Sequence, residues 1–116
     1  MSIEKSRLSK YKEGKRENFG YVFATKVLVE QRRPVMYMYK EKADGGDSGW
    51  RFFAGFEDQA YLDNPINIGI YSIETILEID PSIQPYLGSL CGRAFERNTK
   101  NEAFRRIDEL VFGKGV

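Results

Sequence analysis

Histidine is absent from this chain of 116 residues, and cysteine occurs once, at Cys91. Without histidine the chain has neither the commonest general base nor the commonest metal ligand of proteins. A single cysteine rules out an intramolecular disulfide, so nothing in the sequence points to an oxidising compartment. Histidine-dependent enzymes and disulfide-stapled secreted domains are therefore excluded.

Long apolar segments are also missing. No uninterrupted apolar run approaches the roughly 20 residues that a helix needs to cross a bilayer. The N-terminal sequence MSIEKSRLSKYKEGKR lacks the apolar stretch of a secretory signal. We therefore expect a cytoplasmic protein without a membrane segment.

The composition is that of a folded protein, because 41% of the residues are hydrophobic and 14% are aromatic. Charge is segregated along the chain: residues 1–16 carry six Lys or Arg against two Glu, while residues 41–65 carry six acids against Lys42 and Arg51. We predict a basic N-terminal arm over residues 1–18 and a single globular domain over residues 19–116.

The composition of the arm favours a solubilising tail over a nucleic-acid site. Its basic side chains have the charge to contact phosphates, but Tyr11 alone provides aromatic surface for stacking on bases. Nucleic acid is therefore not an expected partner. The basic residues of the arm are Lys5, Arg7, Lys10, Lys12, Lys15 and Arg16.

Residues enriched in β-branched and aromatic side chains predict several strands. In the second of these, Met36 and Met38 point to one face and Tyr37 and Tyr39 to the other, which favours an interior position in a sheet. The acidic segment EDQAYLDNP is predicted to be a polar connection between two strands. The predicted strands are GYVFATKVLVE, PVMYMYKE, WRFFAGF, NIGIYS and RAFER, with EKADGGDSG as a loop.

Two short helices are predicted after the fourth strand. Ser72 is suited to cap a helix over IETILEID, and Pro81 to begin a shorter helical segment, PSIQPYL. Near the C-terminus, the apolar residues Phe104, Ile107, Leu110 and Val111 have helical spacing. The pattern as a whole predicts an α+β fold, with short helices packed on a largely antiparallel sheet.

The segment DSGWRFFAGFED, residues 47–58, combines aromatic side chains with carboxylates. Core packing is the favoured role of the aromatic group as a whole, yet Trp and Arg also dominate the energetics of protein interfaces. Arg51 either stacks on Tyr37 or Tyr39 or pairs with a local carboxylate. The aromatic residues of the segment are Trp50, Phe52, Phe53 and Phe56.

The carboxylates of this region predict an acidic surface. Their spacing fits no EF-hand loop, whereas a solvated acidic face attracts a basic partner. The glycines form no phosphate-binding motif, and Cys91 reads as a buried small hydrophobe. We expect no metal and no cofactor. The acidic positions are Asp44, Asp47, Glu57, Asp58 and Asp63.

Taken in order, the motifs over residues 19–98 resemble the bacterial immunity protein thirty-three family, first catalogued as a domain of unknown function. The resemblance implies that RAFER leads into a further strand. The residues that carry it are Met38-Tyr39-Lys40, Asp47-Ser48-Gly49-Trp50-Arg51-Phe52-Phe53, Glu57-Asp58, Asp63-Asn64-Pro65, Gly69-Ile70-Tyr71, Asp80-Pro81 and Ala94-Phe95-Glu96-Arg97.

What this resemblance implies is a cytoplasmic protein that binds and neutralises a cognate toxin, without catalysis. We expect a monomer or a homodimer, since an exposed edge strand can support a dimer. We expect Trp50 and Arg51 to be divided between fold and contact. The expected exposed contacts are Asp44, Asp47, Glu57, Asp58 and Asp63. A small adaptor domain without a toxin partner is the alternative, and its sign is a concave aromatic pocket with converging polar groups. An enzyme that pairs Glu57 with Asp58 or Asp63 is disfavoured.

Overall fold

The computed structural model of the chain describes residues 20–108. These residues form one six-stranded sheet in the order β4-β1-β3-β2-β5-β6. Neighbouring strands are antiparallel except β1 and β3, so the predicted α+β class and largely antiparallel sheet are confirmed. The strands are β1 (Tyr21–Thr25), β2 (Tyr37–Lys40), β3 (Asp47–Phe53), β4 (Ile68–Ser72), β5 (Ala94–Glu96) and β6 (Arg105–Arg106).

Short helices connect the strands. The helix after β4 begins as predicted, because the Ser72 hydroxyl accepts the backbone N–H of Thr75 at 3.2 Å. Among residues 20–108, no helix is long and apolar enough to cross a bilayer. The helices are α1 (Lys26–Glu30), α2 (Gln59–Asp63) and α3 (Ile73–Ile79), with 3-10 helices over Pro65–Asn67 and Pro81–Tyr86.

The core lies on one face of the sheet, where α1, α3 and the 3-10 helix over Pro81–Tyr86 pack. Trp50 and Phe52 are wholly buried at its centre with stacked rings, 5.7 Å between centroids. The indole N–H of Trp50 donates to the carbonyl of Leu87 at 3.2 Å, so its one polar atom is satisfied. Other buried members are Val22, Ala24, Leu28, Met38, Ile76, Ile83 and Phe95.

The prediction of a long first strand was wrong, because the chain turns into α1 at Lys26. Two contacts from distant residues explain the turn. The Tyr61 hydroxyl accepts the backbone N–H of Val27 at 3.0 Å, and the Thr25 hydroxyl donates to Glu57 at 2.6 Å. Tertiary contacts thus satisfy the helix start and override the strand preference of the valines.

Three further predictions of local structure are corrected. The connection EDQAYLDNP contains α2, because the Asp58 carboxylate caps the N–H of Tyr61 at 2.8 Å. Asp47 to Gly49 belong to β3 rather than to the preceding loop. The helical spacing around Phe104 is overridden by strand β6, as the resemblance implied. The basic arm, Leu110 and Val111 lie outside the described residues.

A buried ion pair joins the start of β2 to the end of α3. Arg97 and Asp80 are 2.7 Å apart, and both bind the backbone of Val35: Asp80 accepts its N–H at 2.8 Å, and Arg97 donates to its carbonyl at 3.0 Å. The guanidinium also lies 4.2 Å from the Phe104 ring centroid. Because the charges are hydrogen-bonded on several sides, they can remain buried.

Replacing Asp80 by Asn therefore leaves the guanidinium of Arg97 buried without a counter-charge. We expect Asp80→Asn to lower the free energy of unfolding by about 3–5 kcal/mol, measured by urea denaturation. The matched control is Asp44→Asn, at an exposed position, which should change stability by less than about 0.5 kcal/mol. Equal urea midpoints for Asp80→Asn and the wild type would show that the pair does not stabilise the fold.

Candidate functional site

The face of the sheet opposite the core is lined by aromatic side chains. Strand register brings them together, because Tyr37 is paired with Phe53, Tyr39 with Arg51, and Phe23 with Arg51. Paired residues share a face, so these side chains all point away from Trp50 and Phe52. All except Arg51 are only partly buried. This side of the sheet is therefore open among the described residues.

These side chains line a groove of about 560 Å³, which we call the aromatic groove. Tyr37, Tyr39 and Phe53 pack against one another at centroid distances of 5.3 to 5.8 Å. Glu57 and Leu62 lie at the end where β3 leads into α2, and Glu96 borders the groove on β5. The groove thus combines ring surface with carboxylates at its border.

Arg51 fills the middle of the groove wall and is 8% exposed. Its guanidinium donates to both carboxylate oxygens of Asp47 at 2.9 and 2.8 Å, and to one carboxylate oxygen of Glu41 at 2.7 Å. It also lies 4.3 Å from the centroid of Phe23. The predicted local carboxylate is confirmed, and the stacking ring is Phe23 rather than Tyr37 or Tyr39.

Hydrogen bonds from Arg51 and burial in the sheet shift the pKa values of Asp47, Tyr37 and Tyr39. The hydrogen bonds from Arg51 lower the pKa of Asp47 below its ordinary value of 3.8. Burial raises the pKa of both Tyr37 and Tyr39, with Glu96 adding to the first shift and Glu41 to the second. Both phenols are therefore neutral at physiological pH, so they offer O–H donors at the groove.

The five predicted contact acids divide into two groups. Asp44, Asp58 and Asp63 are exposed, as expected. Asp47 is instead bound to Arg51, with 12% of its side chain exposed. Glu57 accepts the Thr25 hydroxyl and the backbone N–H groups of Ala54 and Gly55, at 2.6 to 2.8 Å. The expectation of exposure was wrong for Asp47 and Glu57 because internal donors occupy their carboxylates.

Trp50 has its predicted core role, whereas Phe56 and Cys91 lie elsewhere than predicted. Trp50 is wholly buried, so it belongs to the core and not to the surface of the free protein. Phe56, assigned to the core, is 55% exposed beneath the guanidinium of Arg33. Cys91, predicted to be buried, is an exposed free thiol. Phe56 lies in the loop after β3 and Cys91 in the loop before β5, so neither belongs to the core.

Most residues that carry the resemblance have structural roles. Met38, Phe52 and Phe95 belong to the core, as the family motif requires of its strands. Asn64 caps the following 3-10 helix, in which Pro65 is first. Gly69 is needed because a Cβ there would lie 2.6 Å from the hydroxyl of Tyr71. The motif residues whose side chains line the groove are Tyr39, Arg51, Phe53, Glu57 and Glu96.

Sequence reasoning missed part of the site. Phe23, Tyr37 and Glu41 were not among the predicted contacts, although Tyr37 and Tyr39 share a face by simple alternation. Nothing local to the sequence indicates that Phe23 is opposite Arg51, because this parallel pairing joins strands separated by a crossover. The groove therefore depends on sheet topology.

The described carboxylates do not form a metal site, and three of them are engaged in internal hydrogen bonds. Among residues 20–108, no cluster of three or more Asp, Glu or Cys side chains is arranged to hold a metal ion. The oxygens of Glu57 are taken by internal donors, Asp58 caps α2, and Asp63 accepts the Gln59 amide at 2.8 Å. The arrangement suits binding better than proton transfer.

The Arg51–Asp47 pair makes stability depend on pH. Because the folded pKa of Asp47 lies below 3.8, its ionised form stabilises the fold above that pH, and this contribution is lost as the pH falls through the folded value. We expect the urea midpoint of Asp47→Asn to lie below that of the wild type at neutral pH. The difference between the two midpoints should narrow below pH 3.8. A gap that stays constant to the lowest pH would contradict this.

Comparison with known protein families identifies one match. Residues 22–108 match the Immunity protein Imm33 domain, and this span contains both the groove and the buried Asp80–Arg97 pair. No curated protein and no solved structure has significant similarity to the chain. Since the match extends over most of the 116 residues, the chain belongs to the Imm33 family of immunity proteins.

Proposed function

We propose that this protein binds a bacterial toxin through the aromatic groove and neutralises it by occupying it, without catalysis. Family membership supports the class of function. The observation that carries the choice of surface is the open aromatic face of the sheet. We further propose that it acts in the cytoplasm and needs no cofactor.

An antiparallel sheet with one open face ordinarily carries polar side chains on that face. Here Phe23, Tyr37, Tyr39 and Phe53 occupy it instead, and all four are partly exposed. Exposed contiguous apolar surface is characteristic of protein–protein contact, and Tyr in particular is enriched at interfaces because its ring is apolar and its hydroxyl is polar. The groove is therefore suited to a protein partner.

The charge around the groove favours a basic partner. Glu41, Asp47, Glu57 and Glu96 outnumber the nearby cations Arg51 and Arg105, although the chain as a whole has a net charge of +1. The exposed acids Asp58 and Asp63 add to this at the α2 end, and Asp44 lies before the opposite end of β3. Such a field speeds association with a positively charged surface.

The residues in and around the groove then have distinct tasks. Tyr37, Tyr39 and Phe53 contact the toxin directly, while Asp44, Asp58 and Asp63 steer its approach. Arg51, Asp47 and Glu57 hold the walls of the groove through their internal bonds. Trp50 supports β3 from the core side.

A second candidate function has a specific observation in its favour. The groove is concave and aromatic, with Arg51, Glu57 and Glu96 among its polar lining residues. Its volume of about 560 Å³ is in the range of small-molecule sites. An adaptor or ligand-binding domain without a toxin partner therefore remains the alternative, and failure to protect against any toxin encoded beside the gene would favour it.

Truncating the exposed rings should weaken toxin binding. We expect Tyr37→Ala and Tyr39→Ala each to lower affinity about tenfold or more, as truncated interface anchors do. The measurement is growth rescue in cells that co-express the protein with each toxin domain encoded beside its gene, followed by calorimetry with the toxin that it neutralises.

The control for ring truncation is Leu90→Ala, which removes a more exposed apolar side chain outside the groove. Circular dichroism and urea denaturation establish that each variant is folded. If both tyrosine variants rescue growth as fully as the wild type does, the toxin binds another surface.

Reversing exposed acids should slow association while preserving the fold. Asp44 and Asp63 are the preferred positions, since Glu57 holds three internal donors and Asp58 caps α2. We expect Asp44→Lys/Asp63→Lys to lower the association rate constant about tenfold at low salt, and less at high salt. Stopped-flow binding measures this. Glu30→Lys/Glu78→Lys, a double reversal of exposed acids outside the groove, is the charge-matched control.

A further inference from the structure

We propose that the outer edge of β4 is a self-association surface, on which β4 of a second copy pairs antiparallel about Ile70. Strand β4 is at one end of the sheet order, and β1 is its one strand neighbour among residues 20–108. Its other side presents backbone N–H and C=O groups suited to pair with another strand. Ile68 of this strand lines the aromatic groove, but the proposed toxin contacts Tyr37, Tyr39 and Phe53 lie on β2 and β3.

The two edges of the sheet differ in how they resist such pairing. The opposite edge, β6, is two residues long and both are arginines, Arg105 and Arg106. Short length and charge are the usual protections of an edge strand. Strand β4 has five residues, IGIYS, with neither a charge nor a proline. Ile70, at its centre, is 64% exposed.

The sequence of β4 is complementary to itself in antiparallel register. A two-fold axis at Ile70 places Ile70 opposite its own copy, Ile68 opposite Ser72, and Gly69 opposite Tyr71. Each of these pairings is repeated by symmetry, as an isologous interface requires. No like charges meet, because the strand has none. A second copy is therefore the occupant that this edge fits.

This pairing leaves both aromatic grooves available. Ile70 is paired with Phe23 and so points to the open face of the sheet. For Ile70 to meet its own copy on one face, the two-fold axis must be perpendicular to the sheet. Both grooves then open on the same side of a continuous sheet, and the dimer presents two binding sites. Toxin binding and self-association are thus separable properties.

Two short strands bury less than the roughly 800 Å² per partner of a standard stable interface. We therefore expect a dimer in rapid exchange with monomer, whose population rises with concentration. Sedimentation velocity on the full chain over a concentration series measures it, and hydrogen exchange at low and high concentration should show added protection in residues 68–72.

Ile70→Lys tests the register, because two introduced ammonium groups would face each other across the axis. We expect it to weaken self-association about tenfold or more, with an unchanged circular dichroism spectrum. Leu90→Lys is the control, since Leu90 is 69% exposed and lies outside β4; it should dimerise as the wild type does.

Three results would overturn the proposal: a wild type that is monomeric at every concentration, a dimer that survives Ile70→Lys unchanged, or equal loss in Leu90→Lys. A dimer lost in Tyr39→Ala but kept in Ile70→Lys would place the contact on the groove and also overturn it. Failure of toxin rescue has no bearing on these measurements, so the two proposals can fail separately.

Discussion

The position of β2 depends on one residue held on both sides, Val35. Its N–H is bound by Asp80 and its carbonyl by Arg97, and these two side chains bind each other. Because side chains alternate along a strand, a slip of one residue would exchange the faces of β2. Tyr37 would then enter the core and Met38 would leave it. The buried pair fixes the register, and so places both tyrosines on the open face.

Arg51 has the corresponding position on the other side of the sheet. It ties Glu41, before the β2–β3 loop, to Asp47 after it, while its guanidinium covers Phe23 of β1. A cation here tolerates burial because two carboxylates and an aromatic ring replace the water it has lost. The groove therefore has a rigid polar wall beside a surface of partly exposed rings. Prior organisation of this kind lowers the entropic cost of binding a partner.

Local chemistry made some of the fold predictable from sequence and left the rest hidden. The Ser72 cap of α3 and the alternation in β2 depend on neighbouring residues, and both were predicted. Helix α1 was missed because its start is satisfied by Tyr61, 34 positions away from Val27. Glu57 looked like a surface acid for the same reason, since Thr25, one of its donors, lies far off in the sequence. The groove itself needs the β1–β3 register, which no local pattern encodes.

The division between buried and exposed residues also limits what family membership implies. Asp80, Arg97, Trp50 and Phe52 carry much of the resemblance, and all four are buried. Any chain with this sheet and these helices needs them for packing and register, whatever it binds. A partner can distinguish one such protein from another only by what it touches. Specificity should therefore reside in the groove rings and in the exposed acids around them, where a substitution changes recognition at little cost to the fold.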